Sequence, residues 1–138
     1  MNPIKDNMYC LTKARLEFER NNYQEALEEL GKSGPIKNVF YKANIKQLTL
    51  MIYYELKWFV PAADLLDAYR HFVRTDKLLP EVYKTSFNSF INYFNRLLKI
   101  NNNSENYAFE ISQLISELKP TSQIWLLNKA TELEQNKK

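Results

Sequence analysis

The sequence has little of what special sites are built from: 138 residues contain two glycines, one histidine and one cysteine. A lone Cys10 can close no disulfide within the chain and assemble no cysteine-based metal site, which is compatible with a reducing, cytoplasmic setting. Any Ser/His/Asp or Cys/His arrangement would have to be built on His71, and Cys10 is two hairpins away from it in sequence. A histidine near a helix end is ordinarily satisfied by solvent or by the helix dipole. Histidine and glutamate do not occur at the i, i+3 or i, i+4 spacing of a metal-binding helix face. Both glycines lie in Gly31-Lys-Ser-Gly34, which lacks the GxxxxGK[ST] frame of a phosphate loop and reads as a helix stop. No apolar run reaches the length of a membrane span, and the first eleven residues carry Lys5, Asp6 and several Asn in place of an apolar signal core. Asn102-Asn-Ser104 matches a glycosylation sequon, which without a secretory signal is a chance match. A net charge of +3 is too small to imply nucleic acid or membrane as a partner. These absences lead us to expect no enzyme, no catalytic residue, no cofactor and no metal.

What is present is ordinary globular material, 45% hydrophobic and 25% charged, in a length that suits one domain. Punctuation is sparse: the glycine pair, Pro35, Pro61, Pro80, Pro120 and Asn101-Asn-Asn103. Long helices joined by short turns fit that spacing. Ala62, Leu65, Leu66, Tyr69, Phe72 and Val73 form one helical stripe, opened by Pro61 and closed by Arg70 and Arg74. Residues 48–54 are apolar on nearly every side. A buried strand competes for that run, but 39–56 continues without Gly or Pro for longer than a strand does, so a helix sandwiched between neighbours is expected. Helices are predicted at 8–20, 23–30, 36–56, 59–75, from Pro80-Glu81 onward on the stripe Tyr83, Phe87, Phe90, Ile91, Phe94, Leu97, Leu98, then after a Ser104 N-cap on Tyr107, Ile111, Leu114, Ile115, Leu118. A seventh, capped by Thr121 or Ser122, rests on Ile124, Trp125, Leu127, Ala130 and Leu133, and 134–138 should fray.

An internal repeat links the first two turns. Tyr23-Gln-Glu-Ala26 with Leu30 aligns with Phe59-Val-Pro-Ala62 with Leu66, an offset of 36 residues that signals stacked helical hairpins. The aromatic closes the corner, and the small alanine lets one helix approach the other. Here the chain resembles the tetratricopeptide repeat: Ala14, Tyr23, Ala26 and Leu30 match its small, aromatic, small and large places in one unit, and Tyr53, Phe59, Ala62 and Leu66 in the next. Cys10 and Lys46 stand where the family often has Trp, Asn21 and Lys57 where it has Gly, and the first unit lacks the closing Pro. A narrower resemblance, carried by Tyr53-Tyr-Glu-Leu56, Leu65 to Arg74, the Phe-rich helix and Ile124-Trp-Leu-Leu127, is to the C-terminal region of tetratricopeptide-like proteins common in Bacteroidetes. It implies no activity, and it leads us to expect further repeats upstream of Met1 in a longer parent.

The resemblance implies an all-α, short right-handed solenoid of about seven helices in a single domain, with hairpins at 8–31 and 36–75, a divergent hairpin at 80–118 and a capping helix at 121–134. It further implies a concave groove lined by Leu11, Arg15, Phe18, Asn44, Gln47, Met51 and Tyr54, a mixture suited to a peptide or a partner helix. The Lys/Asn clamp by which some relatives hold a C-terminal carboxylate is not reproduced, since Arg15 and Met51 stand at its Asn place. The expected role is a non-enzymatic interaction module or scaffold, whose partner is an unidentified protein or peptide or the upstream repeats. A second surface competes with it. Glu17, Glu19, Glu25, Glu28 and Glu29 crowd the first hairpin, while the 32–46 stretch holds Lys32, Lys37, Lys42 and Lys46 with no acid. Lys37, Lys42 and Lys46, with Arg15, form the basic face of an alternative nucleic-acid-binding reading; Arg70, Arg74, Lys77, Arg96 and Lys99 are assigned to helix C-termini.

Overall fold

Helix follows the 3.6-residue period wherever the sequence shows it. The computed structural model describes residues 3–102 and 107–136, with side chains from Asn7 onward, and among these it contains seven helices and no strand. They are α1 (Pro3–Glu19), α2 (Tyr23–Gly31), α3 (Val39–Glu55), α4 (Phe59–Thr75), α5 (Glu81–Asn102), α6 (Ala108–Glu117) and α7 (Ile124–Asn136). Two compact units result, Met1–Lys84 and Thr85–Lys138.

In the first unit α1 pairs with α2 and α3 with α4, and α3 also packs on both α1 and α2. The corner of each pair is closed in the same way. Asn21 and Lys57, 36 residues apart, hold φ of 64° and 62°, the left-handed conformation that usually falls to glycine. Around Asn21, its own N–H donates to Phe18 O at 3.0 Å and Asn22 N–H to Glu17 O at 2.8 Å; around Lys57, the same two bonds run to Tyr54 O at 3.0 Å and from Trp58 to Tyr53 O at 2.8 Å. These pairs satisfy carbonyls that the helix end would leave open. The side chains at matching places then lock each turn by different chemistry. Asn22 Nδ2 donates to Glu17 Oε2 at 2.9 Å, whereas Trp58 and Tyr53 put their rings 5.8 Å apart.

The aromatic corners are copies of one another. Phe18 meets Tyr23 edge to face at 5.4 Å, and Tyr54 meets Phe59 edge to face at 5.5 Å. Directly behind them Ala26 and Ala62 are fully buried, as are Ala14 and its counterpart Leu50. Within α3, Leu48, Leu50, Ile52 and Tyr54 are all buried. At about 100° per residue, Leu48 and Ile52 share one side of the helix and Leu50 and Tyr54 the other. The helix is therefore covered on two sides, by α4 and by the α1–α2 pair.

The second unit is assembled from α5, α6 and α7. Phe87, Phe90, Ile91, Phe94, Leu97 and Leu98 form the buried face of α5, joined by Ile111, Leu114 and Leu118. Phe94 stacks on Trp125 of α7 at 6.1 Å, and Arg96 reaches Glu117 of α6 at 2.8 Å, which holds that carboxyl below its ordinary range. Arg96 thus ties two helices together instead of serving the end of its own. Helix α7 buries Ala130 and Leu133 as expected, but at its start Leu126 is buried and Ile124 is exposed, with Trp125 and Leu127 half-buried. Four consecutive apolar residues, Ile124 to Leu127, leave the helical phase open in sequence. The Phe94–Trp125 stack sets it.

Several boundaries differ. Helix α1 begins five residues early at Pro3, a residue suited to a first turn. Helix α3 begins three residues late, because the Asn38 side-chain Oδ1 caps it, accepting from Phe40 and Tyr41 N–H at 3.0 and 3.1 Å. Helix α6 follows Tyr107, and the expected Ser104 cap lies outside the described residues. Thr121 and Ser122 belong to a turn in which Gln123 N–H donates to Lys119 O at 2.8 Å, so α7 starts after them, and it continues to Asn136 where fraying was expected.

Two stability measurements test this account. Ala62→Leu forces bulk into a fully covered contact and should cost about 1–3 kcal/mol in chemical denaturation, while the same change at exposed Ala63 costs under about 0.5 kcal/mol. Lys57→Gly should gain about 0.5–1 kcal/mol, the left-handed penalty relieved less the backbone entropy glycine adds to the unfolded chain.

Candidate functional site

Arg15 of α1 and Asn44 of α3 face each other across the seam between their helices, with Nη2 and Oδ1 3.5 Å apart. Asn44 is held by its Nδ2, which donates to Phe40 O at 2.8 Å one turn back. One turn further along α3, Gln47 Oε1 accepts from the Tyr69 hydroxyl of α4 at 3.2 Å. Tyr69 is fully buried, and burial pushes its hydroxyl pKa far above the ordinary phenol value, so it serves as a neutral donor. Met51, a turn beyond, is half-buried. Asn44, Gln47 and Met51 fall within one narrow sector of α3 at about 100° per residue. Four of the seven groove residues are thus brought together with side chains at or near the surface.

The other three belong to the interior. Leu11, Phe18 and Tyr54 are 8%, 7% and 8% exposed, and the last two are the corner aromatics of the hairpins. They support the seam from beneath and do not line it. Their spacing in the sequence gave no sign of this, because the position that faces the paired helix and the position that faces the seam differ by under half a turn.

The basic face divides. Lys42 and Lys46 lie one turn apart on α3, on the side away from Asn44 and Met51, since two residues along a helix turn it by roughly 200°. Lys46 places Nζ 5.8 Å from the centre of the Phe72 ring. Lys37 precedes the helix and is exposed. Arg15, expected to join these lysines, sits instead with Asn44 on the opposite side of α3. Among the described residues none of the three lysines makes an ion pair within 4 Å, in contrast to the first hairpin, where Glu29 draws in Lys32 at 2.9 Å and Lys13 at 3.6 Å. The Lys32 hydrogen bond chiefly, aided by Lys13 and opposed by partial desolvation, holds the Glu29 carboxyl below its ordinary range. Lys32 is therefore committed to its own hairpin.

Elsewhere the site chemistry is sparse. His71 is exposed, with Arg74 Nη2 3.2 Å from its Nδ1. Among the described residues, no group of three His, Cys, Asp or Glu side chains is placed to hold a metal ion, and no helix is long and apolar enough to cross a membrane. Comparison with protein-family models, with curated proteins and with solved structures finds no match to this chain.

The Glu29 cluster carries a pH prediction. A carboxyl whose folded-state pKa is lowered stabilises the fold above its unfolded value near 4.5 and loses that contribution as pH falls through the folded value. Glu29→Gln should therefore lower the thermal midpoint at pH 7, and the gap from the parent chain should close as the pH is taken below the ordinary carboxylate range.

Proposed function

We propose that the chain is a tetratricopeptide-type interaction module, non-enzymatic, in which α1 to α4 form two turns of a right-handed hairpin stack and the α1–α3 seam binds a peptide or helix of a partner protein. The observation that carries this reading is the 36-residue repetition of corner geometry, from the left-handed Asn21 and Lys57 to the paired aromatics, together with the contact of α3 on both helices of the preceding hairpin. Stacking of that kind brings successive first helices side by side and leaves a row of their side chains along one seam. Arg15, Asn44, Gln47 and Met51 supply a cation, two amides and a polarisable thioether. That mixture recognises backbone and apolar side chains together, and it has no nucleophile or paired acid and base for chemistry.

Separation of the lysines from Arg15 leaves the nucleic-acid alternative with a smaller patch, Lys37, Lys42 and Lys46. Both readings can be tested on the same protein. A photo-reactive benzoylphenylalanine at Met51 should crosslink a protein in extract of the source cells, and Arg15→Glu should cut the yield at least about fivefold, roughly 1 kcal/mol of binding. Lys42→Glu, on the other side of α3, should leave the yield unchanged. Equal yields with Arg15→Glu reject the seam as the binding surface. Filter retention of nucleic acid that falls steeply with salt and is lost in Lys42→Glu would put the lysine patch in its place.

A further inference from the structure

The outer side of α1 carries apolar side chains that nothing among the described residues covers: Met8, Tyr9 and Leu16 are 49%, 63% and 48% exposed, with Thr12 exposed between them. The chain itself shows what such a face is for. Adding 36 to each position gives Asn44, Ile45, Leu48 and Ile52 on α3. Of these, Leu48 and Ile52 are 1% and 0% exposed. The α4 side of α3 is marked by Lys46, which lies over Phe72, and by Tyr54, which meets Phe59, with Gln47 at its margin where it bonds to Tyr69. Asn44 lies beyond that margin, toward Arg15 of α1, and each further turn along its row rotates about 40° more away from α4. Leu48 and Ile52 stand one and two turns along from Asn44, so they are buried against the α1–α2 hairpin. Met8, Thr12 and Leu16 occupy the equivalent row on α1, and no hairpin lies there.

We propose that this face of α1, centred on Tyr9, Thr12 and Leu16, is a docking surface for one further α-helical hairpin, of the same build as α1–α2 and presenting the outer face that α1–α2 presents to α3. The inference rests on the hairpin repeat of the proposed module but not on its partner seam. The occupant is a hairpin and not a single helix, because the face it matches on α3 touches both helices of the preceding pair. The requirement is chiefly apolar: Asn44, which takes the Arg15 contact, is replaced in the row by Met8, so no polar group need be matched. Thr12 in the place of Leu48 makes the α1 face the weaker of the two. Lys13, with Nζ 5.9 Å from the centre of the Tyr9 ring, borders the patch.

The repeat supplies its own probe. A chain in which residues 3–38 are duplicated ahead of Pro3 places the inner α1 in the position α3 holds in the natural chain, with Asn38 as its N-cap and Pro3 at the first helical position, where proline is accepted. The thermal midpoint of this chain should rise by about 5 °C or more over the natural one, and the amides of the inner α1 should exchange with solvent at least about tenfold more slowly. Leu16→Asp in the inner copy should abolish both gains, while in the natural chain it changes the midpoint little. A duplicated chain that does not fold, or whose inner α1 exchanges as fast as in the natural chain, overturns the proposal. So does a concentration-dependent dimer of the natural chain that Leu16→Asp dissolves, since that assigns the face to a second copy. Leu48→Asp in the natural chain separates the causes of a failure: a large loss of midpoint keeps the hairpin repeat and rejects only the docking face, whereas no loss rejects the repeat as well.

Discussion

Close approach at two alanines is the constraint on which the first unit depends. Ala26 and Ala62 have no exposed surface, and each lies on the second helix of its hairpin just beyond an edge-to-face aromatic pair. With a methyl group as the only side chain at that contact, two helices can approach until the aromatic corner and the apolar stripe behind it fill the remaining space. Every other feature of the unit takes its position from that distance. The left-handed residue falls two places beyond the last helical residue, in the middle of the three that reverse the chain, and the seam between α1 and α3 follows from how the paired helices lie.

The two corners show that backbone geometry can persist while the chemistry that holds it changes. Glycine is the residue such a position favours, and here an asparagine and a lysine fill it. Asn21 is braced by the Tyr23 hydroxyl, which donates to its Oδ1 at 3.0 Å, and by the neighbouring bond between Asn22 and Glu17. Lys57 has beside it the ring contact of Tyr53 with Trp58. To the backbone bonds and aromatic pair that both share, one corner adds side-chain hydrogen bonds and the other a second ring contact, so heat and salt act on them differently. A bond at the protein surface weakens in competition with water, while ring packing is insensitive to ionic strength.

Much of this was legible in the residues alone. The helical stripe of α4, the helical nature of α3 and the 36-residue offset were all readable because period and spacing are local properties of a sequence. Burial of Leu48, Leu50, Ile52 and Tyr54 alternates as a strand's would, and only the length of the uninterrupted run distinguishes it from one. What could not be read depends on contacts between distant elements. Ile124 and Leu126 are equally apolar, and the partner ring on α5 selects between them. Leu11, Phe18 and Tyr54 are placed on the correct helices, but whether such a residue supports a seam or lines it turns on a rotation smaller than sequence patterning resolves. The exposure of Met8 and Tyr9 has no sequence signal for the converse reason: an apolar residue on a helix is expected to be inside, and only the placement of its neighbours decides otherwise.

If the seam binds as proposed, the bond from Tyr69 to Gln47 bears on the polarity of its partner. A buried phenol that loses its acceptor is costly, so the Gln47 carbonyl stays with it and the amide N–H groups are the donors left uncommitted. Arg15 likewise has only hydrogens to give. Under the proposed reading, a molecule resting there would meet the Arg15 guanidinium and the Gln47 amide as donors, and the complementary surface would be one rich in oxygen, such as an exposed run of peptide carbonyls or a carboxylate, in preference to an amine.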